Sequence, residues 1–320
     1  MVSGSRIPLV AARWSPPSPP IANRPPLTTL HLPHLHPFVH HAFSYDLGQF
    51  QFTGFGIAVL LAFVIAQITS GEILQERGQN PSVTSDCVFA AVVGGLLGAK
   101  IYYAVLTGDI SNLFHRAGFV FWGGLMGGIV ATAGLMWVRH WRFTRISDAA
   151  APGLAAAYAI GRTGCWAVGD DYGRVWHSHF AVAFPEGAPP STAENLMQLF
   201  HVPVPVGAAP SQVLSVYPTQ LFEVVLGSLM FLLLWRLRNH KHAEGWLFGL
   251  YCVLAGIERF IIEFFRAKDD RFFGAFTTAQ VIAIAFAIGG AAWMYARRNV
   301  TATAPGIMAN KEHPAAAAAR

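Results

Sequence analysis

The chain has 320 residues, of which 53% are hydrophobic and 12% are charged. Soluble domains carry about 25% charged residues, so this composition excludes an ordinary soluble protein and indicates several membrane spans. The net charge of +5 comes without an arginine-rich helix or a zinc pattern, so we do not expect nucleic acid as a partner. Cys87, Cys165 and Cys252 are widely spaced and predict neither a disulfide framework nor a metal cluster.

Residues 1–44 differ in composition from the rest of the chain. They contain three proline pairs and five histidines, and we interpret them as a disordered arm. The histidines could bind a metal loosely, although a solvated arm is the preferred interpretation. We also predict that residues 298–320, which end in an alanine run, form a disordered tail.

Seven segments are long and apolar enough to cross a membrane, which takes about 20 residues. The second, third and fourth are rich in glycine and alanine, which lets helices pack closely in lipid. The chain is therefore predicted to be an all-α polytopic membrane protein with a membrane domain over residues 45–297. The predicted spans are residues 50–69, 86–106, 118–138, 148–168, 217–236, 246–266 and 276–296.

Lysine and arginine in the connecting loops predict the orientation of the chain. With seven spans, three positive groups fall on one side, which places the N-terminus outside and the C-terminus in the cytoplasm. Lys268 and Arg271 fall on the outer side and count against this assignment. The three groups consist of Arg139, Arg142, Arg145, Arg236, Arg238, Lys241, Arg297 and Arg298.

The longest loop, residues 169–216, then lies outside the cytoplasm. It carries several prolines together with aromatic residues such as Trp176, Phe180 and Phe184. This composition favours a small extracytoplasmic head domain with short strands over a bare linker.

A charged stretch begins inside the fourth predicted span. Arg162 lies in the apolar run, and Asp170, Asp171 and Arg174 follow where the run ends. A charged side chain in lipid is costly and is kept where it has a partner or a function. Glycines beside it let the backbone and a headgroup approach closely. The stretch predicts an anion site at a membrane surface, and its glycines are Gly161, Gly164, Gly169 and Gly173.

The sixth predicted span carries Arg259, Glu263 and Arg266, which share one face of a helix. One interpretation is a self-neutralising pair that holds the bundle together. The other is a charged wall facing a polar cavity, where two arginines against one glutamate leave a positive surplus suited to phosphate. Glu258 points elsewhere and could supply the missing charge.

Two further spans carry polar residues whose role is open. Lys100 in the second span could snorkel to the membrane surface or contribute to the same cavity. Gln220 and Glu223 follow Pro218, which suits the first turn of a helix, and can face the bundle together. Glu223 could instead cap that helix.

Taken in order over residues 50–297, these motifs resemble the prolipoprotein diacylglyceryl transferase family. The family's Gly-Arg-x-Gly-Asn and Gly-Glu-x-x-Gly-Arg signature is similar to residues 161–174. Its His-Pro-Ser-Gln-Leu-Tyr-Glu motif is similar to residues 217–223, and its Arg-(four residues)-Phe-Phe-Arg motif is similar to residues 259–266. Gly123-Gly124 in the third span also fits.

The resemblance implies a multi-pass enzyme of the bacterial inner membrane whose site opens to the outer leaflet. The family moves a diacylglyceryl group from phosphatidylglycerol to the lipobox cysteine thiol of a prolipoprotein signal peptide. Glycerol phosphate leaves and a thioether forms. The expected partners are therefore the lipid, the signal peptide and the bilayer, and no metal or other cofactor is required.

The resemblance also assigns roles to residues of this sequence. Arg162 and Arg259 are expected to stabilise negative charge on the leaving phosphate, with Glu263 orienting Arg259 and Asp170 as a further catalytic candidate. The residues expected to bind substrate are Gly161, Gly164, Gly169, Gly173, Arg174, Gln220, Glu223, Arg266 and Lys100.

Three residues depart from the family pattern. Trp122 replaces a histidine that is a natural base near neutral pH, Cys165 replaces an asparagine, and Phe55 replaces a tyrosine. Cys165 could act as a nucleophile, although a small buried cysteine is the preferred interpretation. The groups that could replace the base are Asp170, Glu223, His177 and His179.

Three alternatives to the family's reaction remain open. A divergent relative could use another lipid donor or acceptor. The departures at Trp122, Cys165 and Phe55 also fit a non-catalytic membrane protein that binds lipid. Charged residues within the spans are the sole support for a transporter or channel.

Overall fold

The computed structural model of the protein describes residues 38–47, 50–114, 120–268, 271–273 and 276–298. The predicted disordered arm therefore lies outside the described residues over 1–37, and the predicted tail lies outside them over 299–320. His31, His34 and His36 of the arm fall in that first range.

The described residues are mostly helical, as predicted. Seven helices have 17 to 26 residues, and α5 is a short helix in the long loop. A 3-10 helix, Ile110–Leu113, follows α2. The α-helices are α1 (Gly54–Glu76), α2 (Ser82–Thr107), α3 (Phe121–Val138), α4 (Phe143–Val168), α5 (Ala193–Gln198), α6 (Thr219–Arg236), α7 (Trp246–Ile262) and α8 (Thr278–Arg297).

Five helices of the described part, α1, α2, α3, α6 and α8, are long and apolar enough to cross a membrane, which confirms a polytopic membrane protein. The other two predicted spans are also helices. However, α4 contains Arg145, Asp148 and Arg162, and α7 has 17 residues, short for a span. Both helices contribute charged residues to the interior of the bundle. α4 packs against α1, α6 and α7.

The helix bounds differ from the predicted spans at two places that matter for the site. The first helix begins at Gly54 rather than at residue 50, because residues 50–53 form a strand and the Thr53 side chain caps the helix. The sixth predicted span corresponds to α7, which ends at Ile262 rather than at residue 266. The chain turns there, and Arg266 forms a β-bridge with Gly173, so Arg266 does not continue the face that carries Arg259.

Close contacts between glycines join α2 and α3. A Cβ atom added at Gly127 would lie 2.8 Å from the Cα atom of Gly98, and one added at Gly94 would also meet the backbone of α3. Such small residues let the two backbones approach where lipid supplies no hydrophobic driving force.

Within the described ranges, seven short strands lie outside the helix bundle. β1 pairs with β4 in parallel and β4 pairs with β5 in antiparallel, while β2 with β3 and β6 with β7 form two hairpins. The strands are β1 (Phe38–Val39), β2 (Ser44–Leu47), β3 (Phe50–Thr53), β4 (Val182–Ala183), β5 (Ser215–Val216), β6 (Arg271–Phe273) and β7 (Phe276–Thr277).

The long loop after α4 folds on a hydrophobic core of its own. Tyr172, Phe184, Leu196 and Val216 are buried there with other apolar residues, and we call residues 169–218 the head. The predicted arm extended to residue 44, but residues 38–39 pair with β4 of the head. The backbone pairing satisfies hydrogen-bonding groups that a solvated arm would leave to water.

A polar cluster lies at the opposite end of α4 from the head. The buried Asp148 carboxylate accepts hydrogen bonds from the backbone nitrogens of Gly245 (3.0 Å) and Leu247 (2.7 Å) at the start of α7. It also pairs with Arg77 (3.1 Å) and His240 (2.9 Å). A carboxylate at a helix N-terminus satisfies free backbone donors, so Asp148 fixes where α7 begins relative to α4.

Candidate active site

Arginines from three parts of the chain meet around one buried carboxylate. Glu223 of α6 is fully buried, and its Oε2 lies 3.4 Å from Nε of Arg162 on α4. Its Oε1 lies 3.9 Å from Nη1 of Arg259 on α7 and 3.8 Å from Nη1 of Arg266. We call Arg162, Arg259 and Arg266 the arginine cluster. Glu223 therefore faces the bundle and does not act as a local helix cap.

Asp171, in the turn that follows α4, holds two members of the cluster together. Its carboxylate pairs with Arg162 at 2.8 Å and also with Arg266. Burial acts to raise the pKa of Asp171, but Arg266 and Arg162 lower it below its ordinary value. The Thr219 hydroxyl donates to the Asp171 carbonyl (2.7 Å), which ties this turn to the start of α6.

Glu263 and Thr277 position the third arginine. Nη2 of Arg259 lies 2.6 Å from Oε2 of Glu263, and the Thr277 hydroxyl donates to Oε1 of the same carboxylate (3.1 Å). Glu263 therefore fixes one end of the Arg259 guanidinium group, and its role in orienting that group for catalysis stays a prediction. Nη1 of Arg259 is buried and has no hydrogen-bond partner among the described residues. Buried donors are normally paired, so this nitrogen is available for an acceptor such as a phosphate oxygen.

The sixth predicted span, which is α7, is expected to leave a positive surplus, but the ion pairs of the assembled cluster do not show one. Three guanidinium groups face Glu263, Glu223 and Asp171, so the charges of these six groups balance when all are ionised. Glu223 comes from α6 and Asp171 from the head, and the local helix pattern contains neither of them.

The glycines of residues 161–174 have different structural roles. Gly169 ends α4 in a left-handed conformation (φ +68°), which favours glycine. Gly164 packs on α1, where an added Cβ atom would lie 2.7 Å from that of Ala58. A Cβ atom at Gly161 would meet no described atom within 4 Å. Gly161 therefore leaves open space beside Arg162.

Gly173 does not leave room for a headgroup, contrary to the expectation. A Cβ atom added there would lie 2.6 Å from that of Tyr217, because the Gly173 amide donates to the Tyr217 carbonyl (2.8 Å). The Arg174 side chain donates to the Arg266 carbonyl (3.1 Å). Gly173 and Arg174 therefore hold Arg266 in position through backbone contacts.

Asp170 lies beside the cluster with one unsatisfied atom. Its Oδ1 is buried and has no hydrogen-bond partner among the described residues, while the Gln220 amide nitrogen donates to its backbone carbonyl. Burial and the neighbouring Asp171 raise the pKa of Asp170 from 3.8 to about 6. The group is therefore mostly ionised at neutral pH and can accept a proton.

Cys165 lies among these acidic residues. One ligand atom each of Cys165, Asp170 and Asp171 falls within a span of 4.8 Å, and Arg162 Nη1 lies 3.7 Å from the Cys165 sulfur. The Asp171 oxygens already pair with two arginines, and nearby guanidinium groups oppose a bound cation. These contacts disfavour a metal ion at this position.

The remaining predicted residues lie on other elements. The Lys100 ammonium group on α2 donates to the Asn112 carbonyl of the 3-10 helix (3.5 Å), and the described ion pairs of the arginine cluster do not include it.

The residues that depart from the family pattern, and the two loop histidines, also lie on other elements. Trp122 on α3 is 53% exposed. Phe55 on α1 packs near Gly164, while His177 and His179 are exposed on the head.

Sequence reasoning missed Tyr158 and the full role of Glu258. The Tyr158 hydroxyl contacts Glu223 and Glu258, and its ring lies 5.2 Å from the Arg162 guanidinium. Tyr158 precedes Arg162 by one helical turn, so the i,i+4 spacing could have indicated the pair.

A cavity of about 300 Å³ adjoins the cluster on the side of the head. The Asp171–Arg266 pair forms part of its wall, so a polar ligand in the cavity would meet that pair. Its lining residues are Asp171, Tyr172, Leu199, Phe200, Arg266, Ala267 and Lys268.

Comparison with known proteins adds an independent observation. Residues 42–296 match the family model for prolipoprotein diacylglyceryl transferase. The chain is 30% identical over 282 residues to the phosphatidylglycerol–prolipoprotein diacylglyceryl transferase of Xanthomonas oryzae pv. oryzae, covering 82% of this chain and 93% of that relative. It is 28% identical over 243 residues to transferase 2 of Clostridium perfringens, covering 74% and 87% respectively.

Proposed function

Because the chain belongs to the prolipoprotein diacylglyceryl transferase family, we propose that it transfers a diacylglyceryl group from phosphatidylglycerol to the cysteine thiol of a prolipoprotein. The names of its relatives contain both substrates. The observation that carries the proposal is the arginine cluster, in which one buried guanidinium nitrogen of Arg259 lacks a hydrogen-bond acceptor among the described residues.

In this reaction a carbon–sulfur bond forms and a carbon–oxygen bond to phosphate breaks. The thiol loses a proton, and glycerol phosphate leaves with the bonding electrons on its oxygen. Donors that are already oriented stabilise such charge without reorganising in the transition state. Arg259 offers its Nη1, while Asp171 holds Arg162 and Arg266 side by side.

We assign acceptance of the thiol proton to Asp170. Tryptophan at position 122 cannot accept a proton, and Glu223 is engaged by the arginine cluster. Asp170 has a free buried oxygen beside that cluster, and a base whose pKa lies near the working pH is effective. Cys165 then fills the position of the family's asparagine as a small buried side chain.

The setting that fits this chemistry is the bacterial inner membrane. The bilayer supplies phosphatidylglycerol, and a prolipoprotein signal peptide supplies the thiol. We place the head and the N-terminus outside the cytoplasm and the C-terminus inside it, from the distribution of lysine and arginine in the loops.

Arg162→Gln and Arg259→Gln test the proposal. Each variant is expressed in cells depleted of their own transferase, and a reporter lipoprotein is analysed by mass spectrometry. Loss of one preorganised donor typically costs about 10²–10³-fold in rate, so we expect the diacylglyceryl-cysteine mass to disappear. Arg139→Gln, in the loop after α3, is the matched control and is expected to retain modification.

Two results would contradict the proposal. One is full modification by both arginine variants. The other is an unmodified precursor in cells that express the wild-type chain well. That result would favour a pocket that binds lipid without turnover, which the departures from the family pattern at Trp122 and Phe55 also fit.

A further inference from the structure

One tyrosine hydroxyl lies between two buried carboxylates. The oxygen of Tyr158 on α4 is 3.1 Å from Oε1 of Glu223 on α6 and 2.9 Å from Oε1 of Glu258 on α7. Both glutamates are buried. Three helices therefore converge on this hydroxyl beside the arginine cluster.

The number of protons in this arrangement is limited. A tyrosine hydroxyl has one proton to donate, and an ionised carboxylate can only accept hydrogen bonds. Tyr158 can therefore donate to one glutamate but not to both. The second short contact is a hydrogen bond only if that glutamate carries a proton and donates it to the Tyr158 oxygen, since an unpaired buried acceptor is costly.

The surrounding charges indicate which glutamate carries the proton. Glu223 lies within 3.4 to 3.9 Å of all three members of the arginine cluster, and these guanidinium groups stabilise its ionised form. Glu258 takes part in none of the ion pairs described for the cluster. The ionisable groups that face Glu258 are Tyr158, Arg162, Glu223, Arg259 and Tyr251.

We propose that Glu258 is a protonated carboxylic acid that donates to Tyr158, which in turn donates to ionised Glu223 and positions it under the arginine cluster. Tyr158 and Glu258 are thus positioning residues. With this proton in place, the carboxylates that pair with the three arginines are Glu223, Glu263 and Asp171. Ionisation of Glu258 would add a further negative charge close to these pairs and oppose a phosphate headgroup. The effect on turnover rests on the proposed function, whereas the location of the proton does not.

Infrared spectroscopy of the full-length protein in detergent at pH 7 tests the location of the proton. We expect a C=O stretch of a protonated carboxylic acid that disappears in Glu258→Gln. In Tyr158→Phe the band should shift, because the acid loses its acceptor. Asp86→Asn, which changes an exposed carboxylate, is the matched control and should keep the band. Absence of the band, or its persistence in Glu258→Gln, would overturn the proposal whatever the protein catalyses.

The pH profile of the transferase reaction tests the positioning role. Glutamine resembles the protonated acid and cannot ionise, so the ratio of Glu258→Gln activity to wild-type activity should rise at alkaline pH. Glu258→Ala cannot donate to Tyr158 and should be roughly tenfold less active than Glu258→Gln. A ratio that stays constant with pH, or equal activity of the two variants, would overturn the positioning role even if the wild-type protein is an active transferase.

Discussion

Asp171 shows how one residue organises the site. It contacts guanidinium groups that come from α4 and from the segment after α7, and its backbone is left-handed (φ +58°). Aspartate tolerates this conformation better than most residues. The guanidinium groups of Arg162 and Arg266 repel each other, and the negative charge of Asp171 offsets that repulsion. The arginines are therefore oriented before an anion arrives.

The neighbouring Asp170 gives a prediction about pH. Burial and Asp171 raise the pKa of Asp170 to about 6, so its carboxyl group is protonated below that value and cannot accept the thiol proton. We expect the initial rate to fall as pH decreases through about 6. General bases contribute about 10²–10⁴-fold, so Asp170→Asn should lower the rate by that order and remove the acidic limb.

The measurement is the initial rate of peptide modification in detergent at pH values from about 5 to about 8. This range includes the pKa of about 6 of Asp170. Asp86→Asn is the control and should keep the wild-type profile. An unchanged acidic limb in Asp170→Asn would show that another group accepts the proton.

At the scale of elements, helix pairs differ in how they pack. Contacts between α2 and α3 are made through glycine backbones, whereas α4 contacts α6 and α7 through both alanines and ionised groups. The glycine contacts leave no room for larger residues on the facing sides of α2 and α3. Their stability therefore depends on shape, because lipid supplies little hydrophobic drive.

Two glycines of the same helix provide a matched test of this packing. Alanine at Gly127 would place its Cβ atom 2.8 Å from the Cα atom of Gly98, whereas alanine at Gly134 would meet no described atom within 4 Å. Overpacking costs about 1–3 kcal/mol, so Gly127→Ala should lower the unfolding temperature in detergent. Gly134→Ala should leave it unchanged or raise it, because alanine favours helix. Equal unfolding temperatures would refute close packing of α2 on α3.

At the scale of the whole molecule, α4 connects two polar ends. Asp148 anchors the start of α7 at one end, and Arg162 joins the arginine cluster at the other. The two residues are about 21 Å apart along the helix at 1.5 Å per residue. That distance is most of a hydrocarbon core of about 30 Å, so the two clusters suit opposite membrane surfaces.

Cysteine labelling tests the proposed orientation. Val206→Cys introduces a thiol at an exposed position of the head, and His140→Cys introduces one in the loop between α3 and α4. Because the native cysteines are buried, an impermeant maleimide should label the Val206→Cys protein in intact spheroplasts. The same reagent should label the His140→Cys protein only after the spheroplasts are lysed. The reverse pattern would invert the assigned topology.

The sequence by itself determined the membrane class, the family and the principal arginines. Long apolar runs predict helices because a span must satisfy its own backbone hydrogen bonds, and Arg162 and Arg259 lie in local motifs that can be read without a structure. The same locality explains the errors. The expected positive surplus rests on the residues of the sixth predicted span alone. That predicted span extends to residue 266, whereas α7 ends at Ile262 and Arg266 forms a β-bridge with Gly173.

Only the tertiary structure decided how these charges are balanced. Glu223 and Asp171 approach the arginine cluster from α6 and from the head, and residues 38–39 pair with a strand of the head. Tyr158 and Glu258 are hydrogen-bonded although they are 100 residues apart in the chain. Such contacts depend on the packing of α4 against α6 and α7, since a local motif specifies the face of a helix but not the partner that covers it.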